Sequence, residues 1–131
     1  MAKARLIRPR EFERDYQISN GQVITLKIDE EWRIITFHDS MGKKFDEEFH
    51  FQDDDGERQR YLLSRMYAPI TRNGLGRAAL EFFISVTNAT VYARQIHDKY
   101  GDGSDLTGNA PEFVNAMVEE GLLEDPEKEY Y

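Results

Sequence analysis

The sequence predicts an α+β domain: a four-stranded antiparallel β-meander over about residues 11–51, with one face covered by helices at about 57–67, 75–100 and 110–120. Three observations predict it. Residues 12–51 alternate apolar and polar side chains between Asn20-Gly21, Asp29-Glu30-Glu31 and Ser40-Met41-Gly42-Lys43, which read as turns. From Leu75 to Tyr100, apolar residues recur at spacings of four and three. A length of 131 residues with 40% hydrophobic side chains suits one core, hence a single domain over 1–131.

Residues 1–10 carry Lys3, Arg5, Arg8 and Arg10 and no acid, so they read as a basic N-terminal arm. Leu6 and Ile7 offer the start of an edge strand that Pro9 limits. In the first hairpin, two registers compete. A two-residue Asn20-Gly21 turn would set Glu13, Asp15 and Gln17 beside Ile24, Leu26 and Ile28. A three-residue loop, Ser19 to Gly21 with Gly21 left-handed, sets Tyr16 opposite Ile24 and Arg14 opposite Leu26. The apolar match selects the second, although Arg14 then intrudes on an apolar face.

Carrying that logic onward pairs Ile28 with Trp32, then Trp32 with Phe51, Ile34 with Phe49 and His38 with Phe45. The expected apolar face is Phe12, Tyr16, Ile18, Ile24, Leu26, Ile28, Trp32, Ile34, Phe45, Phe49 and Phe51. Ile35 and Phe37 fall on the wet face as exceptions, and His38 and His50 fall on opposite faces.

Asp53-Asp54-Asp55 suits a cap for a helix at 57–67, in which Leu62 and Met66, and Leu63 and Tyr67, sit at i, i+4. Pro69 stops it. Asn73 is the expected cap of the 75–100 helix. At ~1.5 Å per residue that helix is ~39 Å long, longer than the strands it covers. It must overhang, break near Ser85–Asn88, or bury its excess against a second subunit in a homodimer. The last helix, 110–120, has Asn109 as cap and Gly121 past its end. Leu122-Leu123 should pack back, and residues 124–131 form an acidic tail expected to be mobile.

Twenty-five acids against 17 bases give a net charge of −8, which disfavours phosphate backbones and suits a basic partner. Cysteine is absent, so there is no disulfide or thiolate chemistry. No signal peptide or membrane span is read, and a cytoplasmic location is expected.

Four groups of residues bear on chemistry. His38, near Glu47 in the expected register, forms a candidate acid–base pair. Arg72, Gly74, Gly76 and Arg77 at a helix start form a candidate anion site, although the Walker and dinucleotide signatures are missing. Asp29, Glu30, Glu31, Asp46, Glu48, Asp53, Asp54 and Asp55 form candidate acidic contacts for a basic protein. Finally, Trp32, Phe45, Phe49 and Phe51 with Arg58, Arg60, Arg65, Arg72 and Arg77 would suit single-stranded nucleic acid, against the sign of the net charge.

No metal-ligand spacing occurs, and the loop from Asp98 to Asn109 fails the calcium-loop pattern; no metal or cofactor is expected. The sequence therefore points first to a non-enzymatic binding or regulatory protein, an inhibitor or adaptor. Single-stranded nucleic-acid binding is the alternative, and a small hydrolase-like enzyme using His38 and Glu47 the third reading.

Overall fold

The computed structural model describes residues 4–9, 12–53, 60–70, 73–93 and 110–124. It is an α+β fold built on one seven-stranded sheet. The strands are β1 (Arg5–Pro9), β2 (Glu13–Gln17), β3 (Val23–Ile28), β4 (Ile34–His38), β5 (Lys44–Asp53), β6 (Arg60–Met66) and β7 (Thr90–Tyr92). They lie side by side in chain order. Every neighbouring pair is antiparallel except β6–β7, which is parallel. A parallel pair needs a long crossover, and the helix α1 (Leu75–Thr87) supplies it. The helix α2 (Ala110–Glu119) follows.

The four-stranded meander is thus the centre of a larger sheet. β1 extends it on one side as an edge strand with every residue exposed. That edge is short, bears two arginines, is bulged between Leu6 and Arg8, and ends at Pro9. Each of these features discourages a further strand from adding to it.

The first hairpin has the three-residue register: Tyr16 faces Ile24 and Arg14 faces Leu26. Arg14 crosses the core rim to reach α1. Its guanidinium donates to Ser85 Oγ at 2.7 Å and lies 5.3 Å from the Phe82 ring centre. Its aliphatic stem packs while its head stays polar.

The register of β4 corrects the expected one. Ile28 pairs with Ile35, not with Trp32, and Leu26 with Phe37. Every side chain of β4 therefore changes face, as a slip of odd length demands. Ile35 and Phe37 are core residues and not exceptions; Ile34 is half-buried, and Trp32 and Phe12 are exposed. Apolar matching failed here because Trp32-x-Ile34 and Ile35-x-Phe37 both offer an apolar pair of the same period. The turn decided between them.

Two expected helices are corrected as well. Residues 60–66 of the expected 57–67 helix are the strand β6; residues 54–59 lie outside the described residues. β6 sits between β5 and β7, so its flanks are both covered. Leu62 and Leu63 are buried together, giving the short continuous apolar run that periodicity alone cannot distinguish from a helix.

The 75–100 helix breaks where a break was one of the three options. Asn88 is left-handed at φ 55°, and its N–H closes on the Ile84 carbonyl. Thr87 Oγ1 donates to the Phe83 carbonyl and accepts from Ala89 N–H. Beyond the break, Ala89, Val91 and Ala93 are buried while Thr90 is exposed, which is strand alternation. The overhang that called for a second subunit is therefore gone, and residues 94–100 lie outside the described residues. Gly74, not Asn73, stands at the N-cap, with no side-chain capping bond. Asn73 instead donates to the Ile70 carbonyl and accepts from Ser19.

Both helices lie against one face of the sheet. The core joins Ile24, Leu26, Ile35, Phe37, Phe49 and Phe51 to Leu80, Phe82 and Phe83 of α1 and to Val114 and Met117 of α2. Leu123 packs back as expected, and Glu124 N–H donates to the Val91 carbonyl. Among the described residues no helix is long and apolar enough to cross a membrane.

Candidate functional site

Three hairpin turns fix where the polar side chains go, and they repeat one device. In each, the N–H of the fourth residue bonds the carbonyl of the first: Gly21 to Ile18 (2.9 Å), Gly42 to Asp39 (3.0 Å) and Trp32 to Asp29 (3.0 Å). That fourth residue is left-handed every time, at φ 89°, 86° and 59°. Glycine suits this conformation because it has no Cβ to clash. The third turn places a tryptophan there.

Asp29 holds that turn shut. Its Oδ1 accepts from the N–H of Arg33 (2.7 Å) and of Ile34 (2.9 Å), and its own N–H donates to the Ile34 carbonyl. Asp39 does the same in the β4–β5 turn, accepting from the N–H groups of Met41 and Lys43.

Trp32 is 41% exposed and Phe12 44%. Their ring centres are 6.3 Å apart, the planes inclined by 32°. Phe12 reaches this place because Ile28 N–H bonds its carbonyl at the start of β2. Sequence reasoning put both rings in the core. The signal it lacked was the spacing of the turns: an Asp with a left-handed residue three positions on, as at Asp39 and Gly42.

The acidic candidates divide between the two ends of the sheet. Glu30, Glu31 and Trp32 share the β3–β4 turn. Asp53, at the end of β5, lies at the same end, because Phe51 N–H donates to the Arg33 carbonyl. Asp46 is exposed near the opposite end. Glu48 lies on the sheet face away from the helices, bound to Lys44 and His50 at 2.8 Å each. Asp29 is occupied by its turn. Asp54 and Asp55 lie outside the described residues.

The sheet face away from the helices carries a polar network. Asp15 is only 5% exposed there; Thr25 Oγ1 donates to it at 2.8 Å, and Arg8 lies 3.5 Å away. His38 pairs with Thr25 across the strands, and Thr36 with Lys27 and Glu48. Ile34 pairs with His50, so His38 and His50 share this face, correcting the expected separation.

The partner of His38 is Thr36, whose Oγ1 lies 2.9 Å from Nε2; Glu47 follows the alternate parity of β5, with Phe49. Burial lowers the His38 pKa from 6.5, and the charges of Lys27 and Lys44 lower it further against a hydrogen bond to the Gly42 backbone. The Glu48 carboxyl is held below its ordinary 4.5 by its bonds to Lys44 and then His50. Among the described residues, no three His, Asp or Glu side chains converge to hold a metal.

The helix-start residues are spent on packing and pairing. A Cβ on Gly76 would meet Phe113 Cε1 at 2.9 Å and Phe49 Cζ at 3.4 Å. The Arg77 guanidinium is shared between Glu81 and Glu120 and ties α1 to α2. Arg72 and Arg58 lie outside the described residues. Of the sheet aromatics, Phe49 and Phe51 are sealed beneath the helices and Phe45 is half-buried against the core. Arg60 pairs with Glu124 and lies 4.0 Å from the Tyr92 ring centre, and Arg65 lies over Tyr67.

Comparison with protein-family models, with curated proteins and with solved structures gave no match.

Proposed function

We propose that this chain is a non-enzymatic binding protein, an inhibitor or adaptor, that engages a basic partner through its acidic surface. One observation carries the reading: five of the ten described lysines and arginines are held in ion pairs with the chain's own acids, while several exposed acids are in none. Arg8 is taken by Asp15, Lys27 by Glu13, Lys44 by Glu48, Arg60 by Glu124, and Arg77 by Glu81 and Glu120. Glu30, Glu31 and Asp46 are exposed and make no ion pair among the described residues. Their field points outward, where a positive partner would be steered toward it.

The test is capture of a partner followed by binding of purified components. The partner is expected to be basic, with affinity falling between about 50 and 300 mM salt, as surface charges are screened. The charge reversal Glu30→Lys with Glu31→Lys weakens it. An acidic partner, or an affinity indifferent to both salt and reversal, overturns the proposal.

A further inference from the structure

We propose that Trp32, supported by Phe12, is the docking point for an arginine-bearing segment of the partner. This inference rests on the acidic-surface reading above and adds to it a defined place and a defined side chain.

The three turns are built alike. They share one hydrogen-bond pattern, and two of them fill the left-handed position with glycine. Only the third fills it with a bulky side chain, which L-residues adopt there under strain. An aromatic ring can justify such a position by burial, but Trp32 is 41% exposed. Part of the ring is thus left to solvent, in a backbone position that glycine would occupy without strain. A strained residue persists where the surroundings over-determine it, and such residues cluster at ligand sites. Here the over-determination is visible: two backbone N–H groups are clamped by the Asp29 carboxylate.

What the ring can bind follows from its neighbours. Phe12 stands beside it and widens the apolar area. Glu30 and Glu31 occupy the same turn, exposed and without an ion pair among the described residues. Arg33 is the turn's single cation, and the acids outnumber it. An indole face beside carboxylates suits a guanidinium, which stacks on the ring while its N–H fork meets an acid. Tryptophan and arginine are also the side chains that most often dominate interface energies.

Trp32 is the only tryptophan in the chain, so its fluorescence reports on this site alone. The full chain is titrated with an arginine–leucine peptide, the matching lysine–leucine peptide, a glutamate–leucine peptide and oligodeoxythymidine. Binding is measured in parallel by anisotropy of the labelled probe. The expected result is a saturable change in Trp32 emission with the arginine peptide, weaker with lysine and absent with glutamate.

Trp32→Gly should weaken arginine-peptide binding at least tenfold and Trp32→Phe, which keeps an aromatic face, by a smaller factor, with circular dichroism showing both variants folded. Asp29→Ala, which frees the turn, should weaken binding by a smaller factor. Arginine-peptide binding unchanged by Trp32→Gly overturns the inference but leaves the acidic-surface reading standing. Failure of every basic peptide and basic protein to bind overturns both. Preference for the oligonucleotide, or a Trp32-dependent dimer by light scattering, overturns the inference.

Discussion

Gly76 faces Phe113 so closely that a β-carbon would approach the ring to 2.9 Å. This contact lets α2 settle on α1 above Phe49, whose ring meets Phe113 edge-on with centres 6.1 Å apart. Glycine inside a helix ordinarily costs about 0.5–1 kcal/mol relative to alanine. Here the sign should reverse. Gly76→Ala is expected to destabilise the chain by about 1 kcal/mol, since overpacking a filled site costs about 1–3 kcal/mol. Chemical denaturation measures it. Combining it with Phe113→Leu, which vacates the space, should recover part of the loss.

The register of β4 is open to a paired test. Ile35 is fully buried and Ile34 only half-buried on the other face. Ile35→Ala should cost about 2–5 kcal/mol, the range for a buried aliphatic truncated to alanine. Ile34→Ala should cost clearly less. Equal losses, or the reverse order, would restore the register in which Ile34 is the core residue.

Phe51 and Phe83 stack with ring centres 3.7 Å apart and planes within 2°, which fastens α1 to the centre of the sheet. Phe83→Ala should cost about 3–5 kcal/mol. The urea midpoint should fall accordingly, with the slope unchanged if the transition stays two-state.

His38 should titrate below 6.5, because burial and then Lys27 oppose its charged form. Neutral His38 therefore contributes stability that is complete above 6.5 and declines as pH falls through its lowered midpoint. Histidine proton resonances followed against pH measure that midpoint. Lys27→Met removes one opposing charge, so the midpoint should rise toward 6.5; a midpoint that stays put would contradict the assignment.

Glu48 gives the acidic counterpart. Lys44 and His50 hold its carboxyl below 4.5. Its contribution is complete above 4.5 and is lost as pH falls through the depressed midpoint. Glu48→Gln should flatten the stability–pH curve in that acid range. An unchanged acid limb would show that the pairing adds nothing there.

The sequence by itself determined the α+β class, the three-residue loop at Ser19–Gly21, the C-terminal helix and the return of Leu123 to the core. These are local matters. A glycine that can turn left-handed, or an apolar stripe bounded by a glycine, leaves few alternatives within a dozen residues. The anion candidate at Gly76 and Arg77 was visible as residues but not as a site, because its neighbours Phe113 and Glu120 lie some forty positions away.

Only the tertiary structure decided the rest, because the competing local patterns were nearly equal. Trp32-x-Ile34 and Ile35-x-Phe37 are equally good strand faces until the Asp29 turn closes. Tyr61-Leu62-Leu63 fits a helix until β5 and β7 flank it on both sides. Val86, Ala89 and Ala93 continue a helical stripe until Asn88 turns the chain and β6 accepts the next residues in parallel. Trp32 left the core for the same reason. A turn whose hydrogen bonds are satisfied by Asp29 fixed its backbone, and that fixed its side chain outside.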